Sequence, residues 1–181
     1  KLIMVKDILV IGTGISGLTF AIKVAEKNPK VSITLISKGD INEGNTRYAQ
    51  GGIAVVRNLK KDSTEKHIND TLIAGDGECN NEVVKFVVEE GNERLDELIK
   101  WGTEFDKKKE ELDLVIEGGH SEKRIVHYKD QTGKQIQEVL TNRVKSFSNI
   151  SLLENHTLVD LITDHHSTIK KNRCYGAYVI S

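Results

Sequence analysis

Short apolar runs and polar segments follow one another in a strand, helix, strand order at the start of the chain. Residues 7–12 are rich in branched side chains and end at a glycine, a pattern typical of a parallel strand buried on both faces. Apolar residues then recur at helical spacing from Ile15 to about Lys27, where Asn28 and Pro29 end the helix. The alternating segment 31–36 completes the unit, which predicts a right-handed crossover and a parallel sheet.

The middle of the chain is predicted to be mainly helical, after a polar stretch from residue 39 to about 57 that is interpreted as a functional loop. A helix near 63–74 is opened by Asp62, with Glu65 as a candidate capping-box partner. Two longer amphipathic helices follow, and Gly102 closes the first of them. Their ranges are about 81–101, with an apolar stripe of Val84, Val87, Val88, Leu95 and Leu98, and 133 to about 147, with Ile136, Val139, Leu140 and Val144 on one face.

Strands are predicted again at the end of the chain, at 150–154, 158–163 and 174–180, with polar turns at 155–156 and 164–172. The whole pattern predicts an α/β fold: a Rossmann-like parallel sheet, an inserted mainly helical region and a C-terminal β-meander. The predicted parts are 1–57, 58–148 and 149–181. Because the chain stops at Ser181 directly after a strand, the fold is expected to be incomplete and the chain to be a fragment of a longer protein.

Composition narrows the class of protein. Lys and Arg number 26 against 27 Asp and Glu, so the net charge of -1 offers no basic surplus for nucleic acid. No apolar run approaches the ~20 residues of a membrane span, and no leader pattern is present, so a soluble, cytoplasmic protein is expected. Cys79 and Cys174 stand alone, without metal-ligand spacing, and are interpreted as ordinary thiols.

A glycine fingerprint, Gly12-Thr-Gly14-Ile-Ser-Gly17, follows the first strand and opens the first helix. In that position Gly12 permits a tight turn, Gly14 lets the backbone approach a pyrophosphate, and Gly17 lets the helix pack closely on the strand. Free N–H groups at the helix N-terminus favour an anion. The fingerprint predicts an ADP-containing cofactor, and a glycine-rich turn without a ligand is the alternative.

The end of the second strand carries Ser37 and Lys38 where an NAD enzyme has an acid for the ribose hydroxyls. An ordinary NAD enzyme is therefore disfavoured. A serine hydroxyl can still meet a ribose hydroxyl, and a lysine can meet a phosphate. Taken without context, a strand end that simply becomes polar explains both residues equally well.

Several longer segments carry a resemblance to a known family. They are residues 11–18, Glu43-Gly-Asn-Thr-Arg-Tyr-Ala-Gln-Gly-Gly-Ile-Ala, Asp70-Thr-Leu-Ile-Ala-Gly, Glu117-Gly-Gly-His-Ser, Arg124-Ile-Val-His and Asp130-Gln-Thr-Gly. In this order, and over nearly the whole chain, the sequence resembles the L-aspartate oxidase family of the succinate dehydrogenase and fumarate reductase flavoprotein superfamily. The AQGG and EGGHS segments are far more specific than the glycine fingerprint.

The resemblance implies a noncovalent FAD cofactor. In the dehydrogenase relatives a histidine in the segment that leads into AQGG carries the flavin covalently, whereas this chain has Asn45 there. Small residues let main-chain N–H groups reach the edge of the flat ring. The implied cofactor residues are Gly12, Thr13, Gly14, Ile15, Ser16 and Gly17 at the pyrophosphate, Ser37 and Lys38 at the adenosine side, Asn45, Thr46, Arg47, Tyr48, Ala49, Gln50, Gly51 and Gly52 along the flavin, and the backbone near Leu158 at the adenine.

Glu117 matches the acidic residue that the resemblance places at the amino group of the substrate. A carboxylate opposite an ammonium separates aspartate from succinate or fumarate by charge. Ile116 departs from the family, which usually has arginine there, and losing that cation alters the surroundings of the carboxylate. The alternative for Glu117 is a surface glutamate in a glycine turn.

The histidines are given simpler interpretations. A metal cluster of Glu117, His120 and His127 is disfavoured, because Gly118 and Gly119 break the helix that such a ligand pair needs. Three residues are instead expected to order the loop or line the site, namely His120, Ser121 and His127. The side chains of His67, His165 and His166 are expected to be exposed to solvent. Trp101 is expected to lie in the core.

The resemblance implies that the parent enzyme oxidises L-aspartate to iminoaspartate, with FAD as hydride acceptor, in NAD biosynthesis. Oxygen or fumarate is the implied electron acceptor, and quinolinate synthase the implied downstream partner. The arginine and histidine residues that bind the carboxylates lie in the second half of such proteins, so these 181 residues alone are expected to be inactive. The alternatives are a catalytically silent flavin-binding fragment and a fumarate reductase or succinate dehydrogenase flavoprotein, against which Asn45 and Glu117 count.

Overall fold

The computed structural model describes residues 3–164 and 173–181. In chain order the elements are β1 (Ile8–Ile11), α1 (Ile15–Lys27), β2 (Ile33–Ile36), α2 (Asn45–Tyr48), β3 (Ile53–Ala54), α3 (Thr64–Ala74), α4 (Asn81–Lys100), β4 (Lys107–Lys108), β5 (Glu111–Leu112), β6 (Leu114–Val115), β7 (Ile125–Val126), α5 (Thr132–Lys145), β8 (Ile150–Leu153), β9 (Thr157–Thr163) and β10 (Cys174–Ile180).

The chain divides into two compact units. The first joins Lys1–Arg47 to Gln137–Ser181, and the second is Tyr48–Ile136. The three-part division at residues 57 and 148 concerns functional regions and stays a prediction.

The first unit is built on a parallel sheet of order β1-β2-β8. Ile33 of β2 pairs with Ile8 of β1 on one side and with Ile150 of β8 on the other. All four residues of β2 are buried, and α1 covers the sheet with the buried residues Leu18, Ala21, Ile22 and Ala25. The predicted strand, helix, strand unit and its parallel sheet are therefore confirmed.

Strand β1 differs from the prediction in its burial. Leu9 and Ile11 are 37% and 48% exposed, so the strand is not buried on both faces. Successive side chains of a strand point to opposite faces of the sheet, so the alternating exposure along β1 shows that the face bearing Leu9 and Ile11 is only partly covered in the described structure.

The last three strands do not form the predicted meander. β8 enters the parallel sheet beside β2, and only β9 and β10 pair with each other, as an antiparallel hairpin with two register shifts. The sequence pattern identified each strand correctly but not its partner, because an apolar run of four residues fits either kind of ladder. The predicted turn residues His165 and His166 lie outside the described residues.

The second unit combines the helices α3 and α4 with a small antiparallel sheet of order β3-β7-β6 and a β4-β5 hairpin. Its core is a cluster of Val55, Leu95, Phe105 and Val126. Trp101 is 8% exposed, so its predicted core position is confirmed. The stretch 39–57, predicted to be a loop, contains the short helix α2 and the strand β3.

Two local predictions in this unit are wrong. The cap residue of α3 is Ser63, whose hydroxyl accepts the Lys66 N–H at 3.2 Å, while Asp62 accepts the Ser63 N–H and pairs elsewhere. The apolar stripe of α4 does not reach Val87, which is 57% exposed. No helix in the described part of the chain is long and apolar enough to cross a membrane.

Candidate functional site

The glycine turn after β1 has the geometry that its spacing predicts. Gly12 adopts φ +101°, a conformation that side chains disfavour, and its N–H donates to the Ile36 carbonyl at 2.9 Å. A Cβ on Gly17 would approach the Gly12 carbonyl oxygen closer than 3.0 Å, whereas a Cβ on Gly12 would meet no atom within 4 Å. The turn therefore needs glycine at both ends, for different reasons.

The N-terminus of α1 begins at this turn. Gly14 is its cap residue and has no side chain to close the end of the helix, and Gly14 and Ser16 are both exposed. The Ile15 N–H donates to Thr46 Oγ1 at 3.1 Å, so this predicted phosphate donor already has a partner within the protein. Small residues thus leave the end of the helix open to an anion while α2 holds one side of it.

Sequence reasoning missed Gln137, which supports the same turn from α5. The side chain is 2% exposed, and its Nε2 lies 2.9 Å from the Thr13 carbonyl and 2.9 Å from the Ile41 carbonyl. Thr13 is also buried, and its hydroxyl donates to the Ile41 carbonyl at 3.3 Å. The signal in the sequence is a polar pair at helical spacing, Gln137 and Thr141, beside the apolar stripe of α5.

The end of β2 is tied to the turn between β8 and β9. Ser37 is buried, and its carbonyl accepts the His156 N–H at 2.8 Å. The Ile41 N–H donates to Glu154 Oε1 at 2.8 Å. Within the first unit these contacts bring Ser37 close to the start of β9, the strand that carries Leu158. Lys38 is exposed.

Helix α2 supplies three predicted cofactor residues to the first unit. Thr46 contacts the start of α1, Asn45 is exposed, and Arg47 lies 3.9 Å from Glu138 in a pair that is open to solvent. Such a surface pair contributes little to stability.

The AQGG loop, residues 49–52, meets three other motif segments within the second unit. The Ala49 carbonyl accepts the Gly133 N–H at 2.9 Å. A Cβ on Gly52 would approach the Val126 carbonyl and the Ile125 side chain closer than 3.0 Å, so glycine is required there. At Gly51 the ideal Cβ position lies 3.9 Å from Glu117 Oε2. Segments far apart in sequence are therefore packed around one loop, while Tyr48 and Gln50 are exposed.

Glu117 lies on a tight turn. The His120 N–H donates to the Glu117 carbonyl at 3.2 Å, and Gly119 takes φ +83°. Glu117 is exposed and Ile116 is 51% exposed, so neither side chain is held by burial. The carboxylate that the sequence singled out is thus presented beside the AQGG loop and open to solvent.

A buried ionic cluster anchors this turn to α3. The fully buried Arg124 donates to both oxygens of Asp62, with Nε to Oδ2 at 2.8 Å and Nη2 to Oδ1 at 2.7 Å. Its Nη1 donates to Asp70 Oδ2 at 2.5 Å and lies 3.1 Å from His120 Nδ1. Both the N–H and the hydroxyl of Ser121 donate to Asp70 Oδ2 at 2.8 Å. Two carboxylates and one guanidinium thereby fix the residues that follow Glu117.

The charges of the cluster stabilise one another. Burial alone would raise the pKa of the Asp70 carboxyl, but the hydrogen bonds from Ser121 and Arg124 outweigh it and lower the pKa to about 2. Burial opposes charge on Asp62 in the same way, and its bonds to Arg124 lower its pKa. The hydrogen bond to Asp62 is the main reason that the pKa of Arg124 is raised.

His67 is not solvated as predicted. It is 7% exposed, and its ring centroid lies 5.6 Å from that of His120. Burial, followed by the positive charge of Arg124, lowers its pKa. The sequence interpretation was wrong because two residues that lie close to His67, His120 and Arg124, come from more than fifty positions further along the chain.

The other candidate ligands are dispersed. His127 Nδ1 lies 3.2 Å from Asp106 Oδ2, whereas His120 Nδ1 contacts Arg124. Within residues 3–164 and 173–181 no group of three or more His, Cys, Asp or Glu side chains is arranged to hold a metal ion. Cys79 and Cys174 are free thiols.

Comparison with known proteins identifies the family of this chain. The model of the FAD-binding domain family matches residues 7–181. The chain belongs to the FAD-binding domain family. FAD is therefore its cofactor, and the open glycine turn at the start of α1, where a Cβ on Gly12 meets nothing, fits a dinucleotide pyrophosphate. The predictions of the cofactor and of the α/β fold are confirmed.

The relatives agree with the resemblance read from the motifs. The chain is 42% identical to L-aspartate oxidase of Vibrio cholerae over 96% of its length, and 43% identical to the chloroplastic L-aspartate oxidase of Oryza sativa subsp. japonica over 94%. It covers 33% and 26% of those proteins, so it spans about a third or less of the relatives that it matches. Among solved structures, E. coli quinol fumarate reductase is similar with a TM-score of 0.87 at 28% identity, over 97% of this chain and 29% of that one.

Proposed function

We propose that this chain is the FAD-binding front part of an L-aspartate oxidase, which oxidises L-aspartate to iminoaspartate in NAD biosynthesis. The observation that carries the proposal is the exposed Glu117 carboxylate beside Gly51, in a chain 42% identical to an L-aspartate oxidase. The relatives named L-aspartate oxidase share nearly the full length of the chain. Oxygen or fumarate is the proposed electron acceptor, and a structural likeness to fumarate reductase supports fumarate.

FAD, when bound, supplies the hydride acceptor. The residues proposed to hold it are those of the glycine turn, with Ser37, Lys38, the segment 45–52 and the backbone near Leu158. Asn45 has no nucleophilic ring nitrogen with which to attach a flavin, so the cofactor is proposed to be noncovalent. The proposed location is the cytoplasm.

Glu117 is proposed to recognise the substrate ammonium. An ionised carboxylate accepts hydrogen bonds from an ammonium and cannot donate one to a second carboxylate, so it favours aspartate over succinate. The Arg124 cluster keeps the turn in place through Asp70 and Ser121, which leaves Glu117 itself free of a cationic partner among the described residues. Ile116 adds no charge beside it.

The test uses the full-length protein with Glu117→Gln and, as control, Glu78→Gln at another exposed position in the same unit. Glutamine keeps the shape but loses the charge, so kcat/KM for L-aspartate should fall about 10- to 100-fold, the range for one hydrogen bond to a charged group. The control should retain the wild-type value. An unchanged kcat/KM in Glu117→Gln, measured with steady-state oxidation of aspartate, would contradict the assignment.

A fumarate reductase or succinate dehydrogenase flavoprotein is the second candidate, because solved fumarate reductases superpose with TM-scores of 0.87 and 0.86. The two candidates differ in substrate and in flavin attachment. The proposed oxidase is bleached by aspartate and releases its flavin on acid precipitation. Bleaching by succinate but not by aspartate, with flavin retained in the precipitate, favours the second candidate.

A further inference from the structure

Gln137 connects two loops of the first unit through its side-chain amide. Its side-chain amide donates at 2.9 Å to the carbonyl of Thr13, in the glycine turn, and at 2.9 Å to the carbonyl of Ile41, after β2. The Thr13 hydroxyl donates a third hydrogen bond, to the same Ile41 carbonyl oxygen. All three residues are buried: Gln137 is 2% exposed, Thr13 5% and Ile41 1%. These hydrogen bonds are therefore shielded from water.

The bond to Thr13 has a consequence for the next residue. The carbonyl of Thr13 and the N–H of Gly14 belong to one planar trans peptide, in which they point in opposite directions. A carbonyl that is held inward by Gln137 therefore turns the Gly14 N–H outward. Gly14 is exposed at the N-terminus of α1, where a glycine adds no side chain that could cover its N–H.

We infer that Gln137 is a positioning residue for the cofactor, which orients the Gly14 N–H so that it donates to the pyrophosphate of FAD. The inference rests on the proposed FAD site at the glycine turn. The neutral amide is suited to this role because it offers two N–H donors, one for each carbonyl. An apolar side chain of similar length would leave the Thr13 carbonyl without this donor and the Ile41 carbonyl with only the Thr13 hydroxyl, and the Thr13-Gly14 peptide would be free to rotate.

The first experiment compares the full-length protein with its Gln137→Met and Gln135→Met variants. Gln135 lies on the same helix and is only partly buried, so it controls for the loss of a glutamine from α5. After removal of the flavin, FAD affinity is measured by fluorescence quenching, and the bound pyrophosphate is observed by phosphorus NMR. We expect Gln137→Met to weaken FAD binding about 10- to 100-fold, the range for one hydrogen bond to a charged group, and to shift the phosphorus resonances of the FAD that still binds.

These readouts separate positioning from general stability. A merely structural role would lower the unfolding midpoint of the variant but leave the phosphorus resonances of its bound FAD in place, and that result overturns the inference. So does an affinity within twofold of wild type. A wild-type protein that takes up no FAD overturns both the cofactor assignment and the inference, whereas normal wild-type binding with unchanged Gln137→Met binding overturns the inference alone.

A second measurement does not depend on how well the variant folds. A crystal structure of the wild-type full-length protein with FAD should show the Gly14 nitrogen within hydrogen-bond distance of a pyrophosphate oxygen while Gln137 Nε2 contacts the Thr13 carbonyl. A Gly14 N–H directed away from the pyrophosphate, or a Gln137 side chain detached from Thr13, would overturn the inference.

Discussion

Replacing Asp70 by asparagine tests how much the Arg124 cluster stabilises the turn that bears Glu117. The side chain of Asp70 is 12% exposed and its carboxyl has a pKa of about 2, against 3.8 for the unperturbed group. A difference of about 1.8 pKa units corresponds to about 2.4 kcal/mol of folding free energy at neutral pH. The asparagine side chain keeps one acceptor oxygen but no charge, so Asp70→Asn should cost about 2 kcal/mol at pH 7.

The pH dependence gives this prediction its sign. Because the pKa is lower in the folded state, the unfolded state takes up the proton first as the pH falls. The contribution of Asp70 is therefore fully present above about pH 5, falls by about 1 kcal/mol between pH 5 and pH 3, and disappears as the pH passes below 2. The free-energy difference between wild type and Asp70→Asn should shrink over the same range.

Urea unfolding of the two full-length proteins at pH 7, 5, 4 and 3 measures that difference. Asp76→Asn is the matched control, because Asp76 is exposed and asparagine tolerates its positive φ. The control should follow wild type at every pH, within about 0.5 kcal/mol. A stability gap for Asp70→Asn that is the same at pH 7 and pH 3 would refute the reasoning, since an ion pair cannot lose its charge without losing its contribution.

Two further substitutions test the first unit in the full-length protein. Gly17→Ala places a methyl group against the Gly12 carbonyl, so we expect a lower thermal midpoint and at least 10-fold weaker FAD binding. Gly39→Ala is the control, because a Cβ on Gly39 would meet no atom within 4 Å, and it should match wild type in both measurements. Equal FAD affinity in the two variants would contradict the close approach. Leu140 on α5 is 0% exposed, so Leu140→Ala leaves a cavity and should lower the free energy of unfolding in urea by about 2–5 kcal/mol. A loss below about 1 kcal/mol would show that the neighbouring side chains fill the cavity.

The sequence predicted those parts of the fold that depend on neighbours along the chain. The order β1, α1, β2 and the extents of α4 and α5 follow from periodicity and from residues that end helices, such as Pro29 and Gly102. Neither the burial of β1 nor the partner of β8 could be predicted, because the first depends on what covers each face of the sheet and the second on which strand lies beside β8. A periodic pattern records which face of a strand is apolar, and it carries no information on what covers that face.

The candidate site shows the same limit. The glycine spacing predicted the turn geometry at Gly12 and Gly17 correctly, since backbone conformation and close packing are local properties. Asp62 and Ser63 are both good cap residues, and the structure uses Ser63 because Asp62 is taken by Arg124, 62 positions away. His67 and Gln137 were misjudged or missed for the same reason. Their partners are distant in sequence, and a local signal such as the spacing of Gln137 and Thr141 does not by itself show which side chains are buried.

Glycine-rich loops impose a physical requirement that both units meet with polar contacts. A loop of glycines has few apolar side chains to bury, so the hydrophobic effect contributes little to holding it in one conformation. Buried hydrogen bonds can do so, because an unpaired backbone carbonyl or carboxylate in the interior is costly and each bond fixes a direction. In the first unit the neutral amide of Gln137 holds the turn through Thr13, and in the second the guanidinium of Arg124 holds the Glu117 turn through Asp70. The glycines let a ligand come close to the backbone, and the buried polar side chains keep that backbone in position.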